Sequence, residues 1–295
     1  MNLHRIFCFI LCYSALCSGL WAQADRRPEI DSLLLSQDYD RARQKLLQWH
    51  KNDSTEFTMR ELGDFYATID QWEKSQEYYE ILVEEHPLNA EYQYRLGGIM
   101  AMIAMQNKLK ALPLISRIED RFKRAAALDP KHRDSRWALI EYYLKVPGVL
   151  GGSYNKAYEV ADGLGDISEI EEWLARGYIE EYRNNEQKAE ELYKTAMEYR
   201  ETVGENYPRV NVHYQLGKIA SRYQTELDAG IWHLNAFKDR YEPGSRVKLK
   251  WVYYHLARIY RHKGQEGIAA KYIDMALAED PDFAEATAEK ELLAR

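Results

Sequence analysis

The chain has 295 residues, of which 29% are charged, and a formal net charge of −7. That balance favours solubility and argues against a general nucleic-acid or acidic-membrane partner. All three cysteines (Cys8, Cys12 and Cys17) lie near the start, so disulfides, thiolate metal sites and thiol catalysis are excluded beyond it.

Residues 1–24 read as a secretory signal. His4 and Arg5 precede an apolar run over 6–20, and Ala22-Gln23-Ala24 is a small-x-small cleavage site. The run is shorter than the roughly 20 apolar residues of a membrane span. A lipid anchor at Cys17 is opposed by the bulky Leu16 before it. Cleavage after Ala24 is expected, giving an exported, periplasmic or cell-envelope protein. Of the 40 Lys and Arg only Arg5 lies in the signal, which leaves 39 basic against 47 acidic residues, a net charge of −8. The remaining chain, residues 25–295, is long enough to bury a large core of helix against helix.

A first helix over 30–35, a turn at Gln37-Asp38-Tyr39 and a second helix over 42–49 open the fold. Met59, Leu62, Gly63, Tyr66, Ser75, Tyr79, Leu82 and Pro87 then set a spacing that returns as Tyr253, Leu256, Ala257, Tyr260, Ala269, Ile273, Ala276 and Pro281. A small residue on one helix is answered 12 positions later by another: Gly63 by Ser75, Gly177 by Ala189, Gly217 by Ala229 and Ala257 by Ala269. Small residues at such places let antiparallel helices approach closely. Two units are stretched. Gly97 to Pro130 is longer by about nine residues and includes the apolar-basic stretch over 108–115, and the unit from Ser135 through Trp137, Ile140 and Tyr143 to Ala157 is longer by about five. The Leu109–Ile115 region is expected to lengthen its hairpin, with an exposed contact loop or membrane-surface patch as the alternative. Units fall at about 25–52, 56–89, 90–132, 133–168, 170–203, 210–243 and 250–283, and a polar capping helix covers 283–295. No low-complexity linker divides them, which predicts a single domain.

These residues resemble the tetratricopeptide (TPR) repeat, W-x2-L-G-x2-Y followed by A-x3-F and P. The resemblance implies an all-α, right-handed superhelical solenoid of antiparallel helix pairs, with the first helix of each pair lining a concave wall. Family positions two, five, nine, twelve and thirteen carry over to Arg60, Asp64, Tyr94, Met102, Trp137, Glu141, Tyr178 and Tyr182. Near the C-terminus they reach Tyr214, Lys218, Arg222, Trp251, Tyr254, Arg258, Arg261 and His262. Aromatic anchors beside guanidinium groups make a binding hot spot. Tyr214, Lys218, Arg222, Trp251, Tyr254, Arg258 and Arg261 are therefore the candidate groove for an acidic or carboxylate-bearing peptide, loosely similar to the carboxylate clamp of chaperone-binding TPR domains. The bland alternative pairs these cations with acids of neighbouring helices.

The remaining constellations carry little chemistry. Residues 147–153, Pro-Gly-Val-Leu-Gly-Gly-Ser, lack the Lys-Ser/Thr of a phosphate loop and read as a long turn with Ser153 as a helix cap. With Lys156-Ala157 they resemble an element of some exported bacterial TPR proteins. His213, His233, His255 and His262 lack an H-e-x-x-H partner set, which predicts solvated or capping histidines and no metal. Glu84-Glu85, Glu171-Glu172 and Glu190-Glu191 read as solvated faces. No nucleophile elbow occurs. The expected function is a non-enzymatic interaction scaffold without cofactor or membrane span. The alternative is a small-solute-binding helper of a transport system, with Trp137, Tyr178 and Tyr182 lining its pocket.

Overall fold

A computed structural model describes residues 27–242, 245 and 247–294. The expected signal segment lies outside the described residues. These form helices α1 (Arg27–Leu35), α2 (Tyr39–Asn52), α3 (Glu56–Thr68), α4 (Trp72–Glu85), α5 (Ala90–Gln106), α6 (Lys108–Leu128), α7 (Arg133–Lys145) and α8 (Tyr154–Gly165). There follow α9 (Glu169–Tyr182), α10 (Glu186–Glu198), α11 (Asn211–Tyr223), α12 (Leu227–Asp239), α13 (Leu249–His262), α14 (Glu266–Glu279) and α15 (Ala284–Leu293). Short 3-10 turns occur at Gly148–Leu150 and Arg200–Thr202, and no strand occurs among the described residues.

The chain divides into two compact units. The first, ending at Leu88, contains α1 to α4. Its core gathers Ile30, Ala42, Leu46, Leu62, Phe65 and Tyr66. The second, from Asn89 onward, stacks the pairs α5/α6, α7/α8, α9/α10, α11/α12 and α13/α14. In it α15 closes the end, burying Phe283 and Ala286 against Tyr253, Ala257, Ile273 and Ala276. The architecture is the all-α, paired-helix arrangement of a TPR solenoid.

Helix ends are set by one recurring three-residue turn. Its middle residue is left-handed in four places: Gln37 (φ 57°), Asp70 (58°), Asn184 (61°) and Gly264 (70°). The next N–H then donates back over the turn, from Asp38 to Leu33 O, Gln71 to Tyr66 O, Asn185 to Glu180 O and Gln265 to Tyr260 O, at 2.8–2.9 Å. That closure satisfies carbonyls a helix end would otherwise leave open.

Close approach between paired helices is organised by glycine. A Cβ on Gly63 would stand 2.7 Å from the Tyr79 ring, on Gly97 2.8 Å from Phe122, on Gly177 2.5 Å from Tyr193 and on Gly217 2.3 Å from Leu234. The α5/α6 pair keeps this contact although nine residues are inserted, because the insertion lengthens both helices at their turn end. Residues 108–115 are thus the start of a longer helix that carries Pro113 inside it.

One pairing differs from its sequence expectation. In α11/α12 the fully packed small residue is Gly230, whose Cβ would meet Ala220 at 2.4 Å, while Ala229 is only half-buried. Helix α11 runs six residues beyond Gly217, where α3 and α9 run five beyond Gly63 and Gly177. Its turn is also different, with Gln224 and Glu226 both left-handed. One extra helical residue moves the answering small residue by one.

Candidate functional site

The seven candidate groove residues lie on α11 and α13, and every one is half-buried. Beneath them sits a continuous aromatic layer. His255 is stacked with Trp251 at 6.3 Å between centroids and tilted against Tyr214 at 5.7 Å and Tyr254 at 5.2 Å. The Tyr214 hydroxyl lies 3.3 Å from His255 Nε2, and His255 Nδ1 lies 3.2 Å from the Ser221 hydroxyl. Burial, with Arg258 and Lys218 nearby, pushes the His255 pKa down to about 3. His255 is therefore a neutral tie between the two first helices.

The cations above this layer have carboxylate partners. Lys218 Nζ stands 3.3 Å from Glu181, and Arg222 bonds both Glu181 and Glu186. Arg261 bonds Glu289 of α15 at 2.5 Å, and Arg258 lies 4.0 Å from the same carboxylate. Glu289 is itself buried. Burial raises the Glu181 pKa, but Lys218, the Tyr193 hydroxyl and Arg222 outweigh it and hold the carboxyl below its usual range. Arg258 also lies over the Tyr254 ring at 5.7 Å. These guanidinium and ammonium groups are thus paired with carboxylates of neighbouring helices, supplied by α9, α10 and α15, as the bland alternative has it.

Three of the four histidines expected to be solvated or capping are buried, and His262 is half-buried. His213, His233 and His255 are buried, and His213 Nδ1 lies 3.0 Å from His233 Nδ1. Burial, then the neighbouring His213 and Arg200, pushes the His233 pKa down to about 3. Their helices α11, α12 and α13 are packed on each other, so these ring faces meet helix and not water. No group of three His, Cys, Asp or Glu among the described residues is placed to hold a metal ion.

Glu171, taken from sequence as part of a solvated face, is fully buried. It accepts from Trp137 Nε1 at 2.6 Å and from Arg209 Nη1 at 2.9 Å, and Arg209 lies 4.2 Å above the Trp137 ring. The segment before α11 is thereby strapped across α7 and α9. Tyr207, hydrogen-bonded to Ser168 at 2.9 Å, extends the strap. The Trp137 face proposed for a small solute is occupied by the protein's own arginine. Glu180 is a second buried acid, held by Tyr158, Arg183 and Asn185. Sequence spacing alone identified neither. The available signal was the odd basic residue in the loop, Arg209, which has an acid to meet.

A cavity of about 370 Å³ in the first unit lies between the turns at 37–40 and 69–71, with Arg43 and Phe65 on its walls. No described helix is long and apolar enough to cross a membrane.

No protein-family model and no curated protein matches the chain. Solved structures do match. A chain of the human IFIT1 dimer with PPP-AAAA is 16% identical over 84% of this chain and 52% of that one, with a TM-score of 0.50. A tetratricopeptide repeat protein from Parabacteroides merdae is 10% identical over 93% of this chain and 100% of that one, with a TM-score of 0.47. Pseudomonas aeruginosa PilF is 12% identical over 79% of this chain and 95% of that one, with a TM-score of 0.46. What these proteins share with this chain is the fold. It is the fold of TPR repeat proteins, with which the glycine contacts and paired helices agree.

Proposed function

We propose that this chain is a non-enzymatic, exported adaptor of the bacterial cell envelope that holds an acidic or carboxylate-bearing segment of a protein partner along α11 and α13. The observation that supports this reading is that half-buried aromatic rings and cations alternate on these two helices, Arg258 lying over the Tyr254 ring at 5.7 Å. Charge-assisted bonds between carboxylate and guanidinium or ammonium are the contacts an acidic peptide would make there. The half-buried Tyr214, Trp251 and Tyr254 supply rigid apolar anchors beside them. An acidic segment would share these cations with the internal carboxylates, so the mechanism is complementarity, with no covalent bond made or broken.

The test uses the purified protein as bait on envelope extract, with mass spectrometry of what is retained. Arg258→Ala with Arg261→Ala alone would leave the buried Glu289 unpaired, so Glu289→Gln accompanies them. Capture kept by Glu289→Gln and lost in the triple variant supports the reading. Capture that survives both the triple variant and Lys218→Ala with Tyr254→Ala rejects it.

A further inference from the structure

The link between α10 and α11 is twelve residues long, against four between α6 and α7 and three between α8 and α9. Val203 is buried near its start. Tyr207 and Arg209 then reach back to Ser168, Glu171 and Trp137 of the two preceding hairpins. Arg133 of α7 stands over the Tyr207 ring at 5.7 Å. Two further arginines pin this strap. Arg240, just past α12, donates to Glu205 O at 2.8 Å and to Tyr207 O at 3.0 Å. Arg200, in the 3-10 turn that opens the link, donates to Met197 O at 2.9 Å and pairs with Glu226 at 3.0 Å.

Arg240 and Arg200 also border the His213–His233 pair. His213 lies in the first turn of α11, four residues after Arg209, and its N–H donates to Val210 O at 3.1 Å. Its ring and the strap therefore share one stretch of backbone. His213 Nδ1 stands 3.0 Å from His233 Nδ1, a separation that requires one proton between the two nitrogens. One ring donates and the other accepts. A proton added to the accepting nitrogen sets two N–H groups against each other, and the contact must open.

No carboxylate is set to receive that charge. Arg240 and the Gly204 backbone bear on His213, and Arg200 bears on His233. The Trp232 ring of α12 lies 5.6 Å from the His213 ring and 4.8 Å from that of His233. From α13, His255 is taken up by Tyr214 and Ser221. Neither histidine of the pair meets an acid among the described residues. Protonation therefore leaves a buried positive charge beside two guanidinium groups, and opening to water relieves it. The strap is the part able to yield. Beyond Val203 it is held by hydrogen bonds and by the ring contacts of Arg133 and Arg209, whereas α11 and α12 are locked by the buried Leu216, Leu234 and Phe237.

We propose that residues 203–209 form an acid-released strap: protonation of the His213–His233 pair expels it and bares the Trp137 ring and the Glu171 carboxylate beneath Arg209. The test uses the full chain with Cys8, Cys12 and Cys17 changed to serine and a single new thiol. Val203→Cys reports the strap, and Ala276→Cys, buried in α14, reports the stack. Labelling by dithiodipyridine, normalised to the rate of the urea-unfolded chain at each pH, measures how often each site opens. From pH 7 to pH 5, labelling at residue 203 should rise by about 20-fold or more, as for one histidine that titrates near 3 when held and near 6.5 when released. At pH 5 residue 203 should label at least about tenfold faster than residue 276, because its opening leaves the stack folded. His213→Gln with His233→Gln should remove the rise; if that variant loses its helical circular dichroism, each single variant should lower it. No rise at residue 203, equal labelling of the two sites at pH 5, or a rise undiminished in every folded histidine variant overturns the proposal.

Discussion

Gly177 and Tyr193 occupy one space that admits only one side chain: a Cβ at residue 177 would stand 2.5 Å from the ring of Tyr193. The same tyrosine donates its hydroxyl to Glu181 at 2.6 Å, one turn along the helix that carries the glycine. A single contact thus closes the pair α9/α10 and orients the carboxylate that holds Lys218 and Arg222. Tyr79, against Gly63, likewise bonds Asp64 in the first unit.

Gly177→Ala should therefore destabilise the protein by about 1–3 kcal/mol through overpacking. Gly98→Ala, in mid-helix where an added Cβ meets nothing within 4 Å, should stabilise it by about 0.5–1 kcal/mol. Urea unfolding of the two variants checks this directly, and shifts of the same sign would contradict the packing account.

Arg209 and the buried Glu171 form an ion pair beside Trp137. Removing only the arginine strands a carboxylate, at a cost of about 3–5 kcal/mol. Arg209→Ala with Glu171→Gln should recover much of that loss. A double-mutant cycle measures the coupling, and additive effects would mean that the strap does not depend on the pair.

The buried histidines make acid stability steep. His233 and His255 have folded pKa values of about 3, and His213 is lowered too, against about 6.5 in an unfolded chain. Between those limits the unfolded chain binds protons that the native state does not. Stability is therefore whole above about pH 6.5 and declines as pH falls toward 3, by up to ~1.4 kcal/mol per pH unit for each histidine. Above about pH 4.5 this decline precedes the protonation of carboxylates such as Glu91, held to about 2 by His132 and Arg95 against the opposing pull of burial. His255→Gln should flatten the profile of urea midpoint against pH, and an unaltered slope would show that His255 is not a contributor.

Phe283 is 3% exposed and packs edge-on to Trp251 at 4.7 Å. Phe283→Ala should cost about 3–5 kcal/mol and loosen α15 first. Hydrogen exchange would report early loss of protection in α15 and α14. Uniform loss across the second unit would instead mean that the cap and the stack unfold together.

How much of this was legible beforehand follows from the range of each interaction. Gly63, Gly97, Gly177 and Gly217 announced close helix approaches because each glycine and the side chain that answers it belong to one hairpin. Ser153 capping α8, and Pro87, Pro130 and Pro281 just past helix ends, are likewise local chemistry. The Gly230 shift was not legible, since one added helical residue in α11 leaves the apolar pattern intact.

Side-chain partners across different hairpins were decided by the tertiary structure alone. Glu171 and Glu172 are adjacent and chemically alike, yet only Glu171 turns toward Trp137 and Arg209, 34 and 38 residues away. The burial of His213, His233 and His255, and the seating of Arg258 and Arg261 on Glu289, depend in the same way on which helix stacks beside which. The sequence by itself determined the repeat, the helix pairs and their closest contacts, because these are written within about 35 residues of chain. Which charged groups face inward was left to stacking, because a helix surface acquires an inside only when its neighbour arrives.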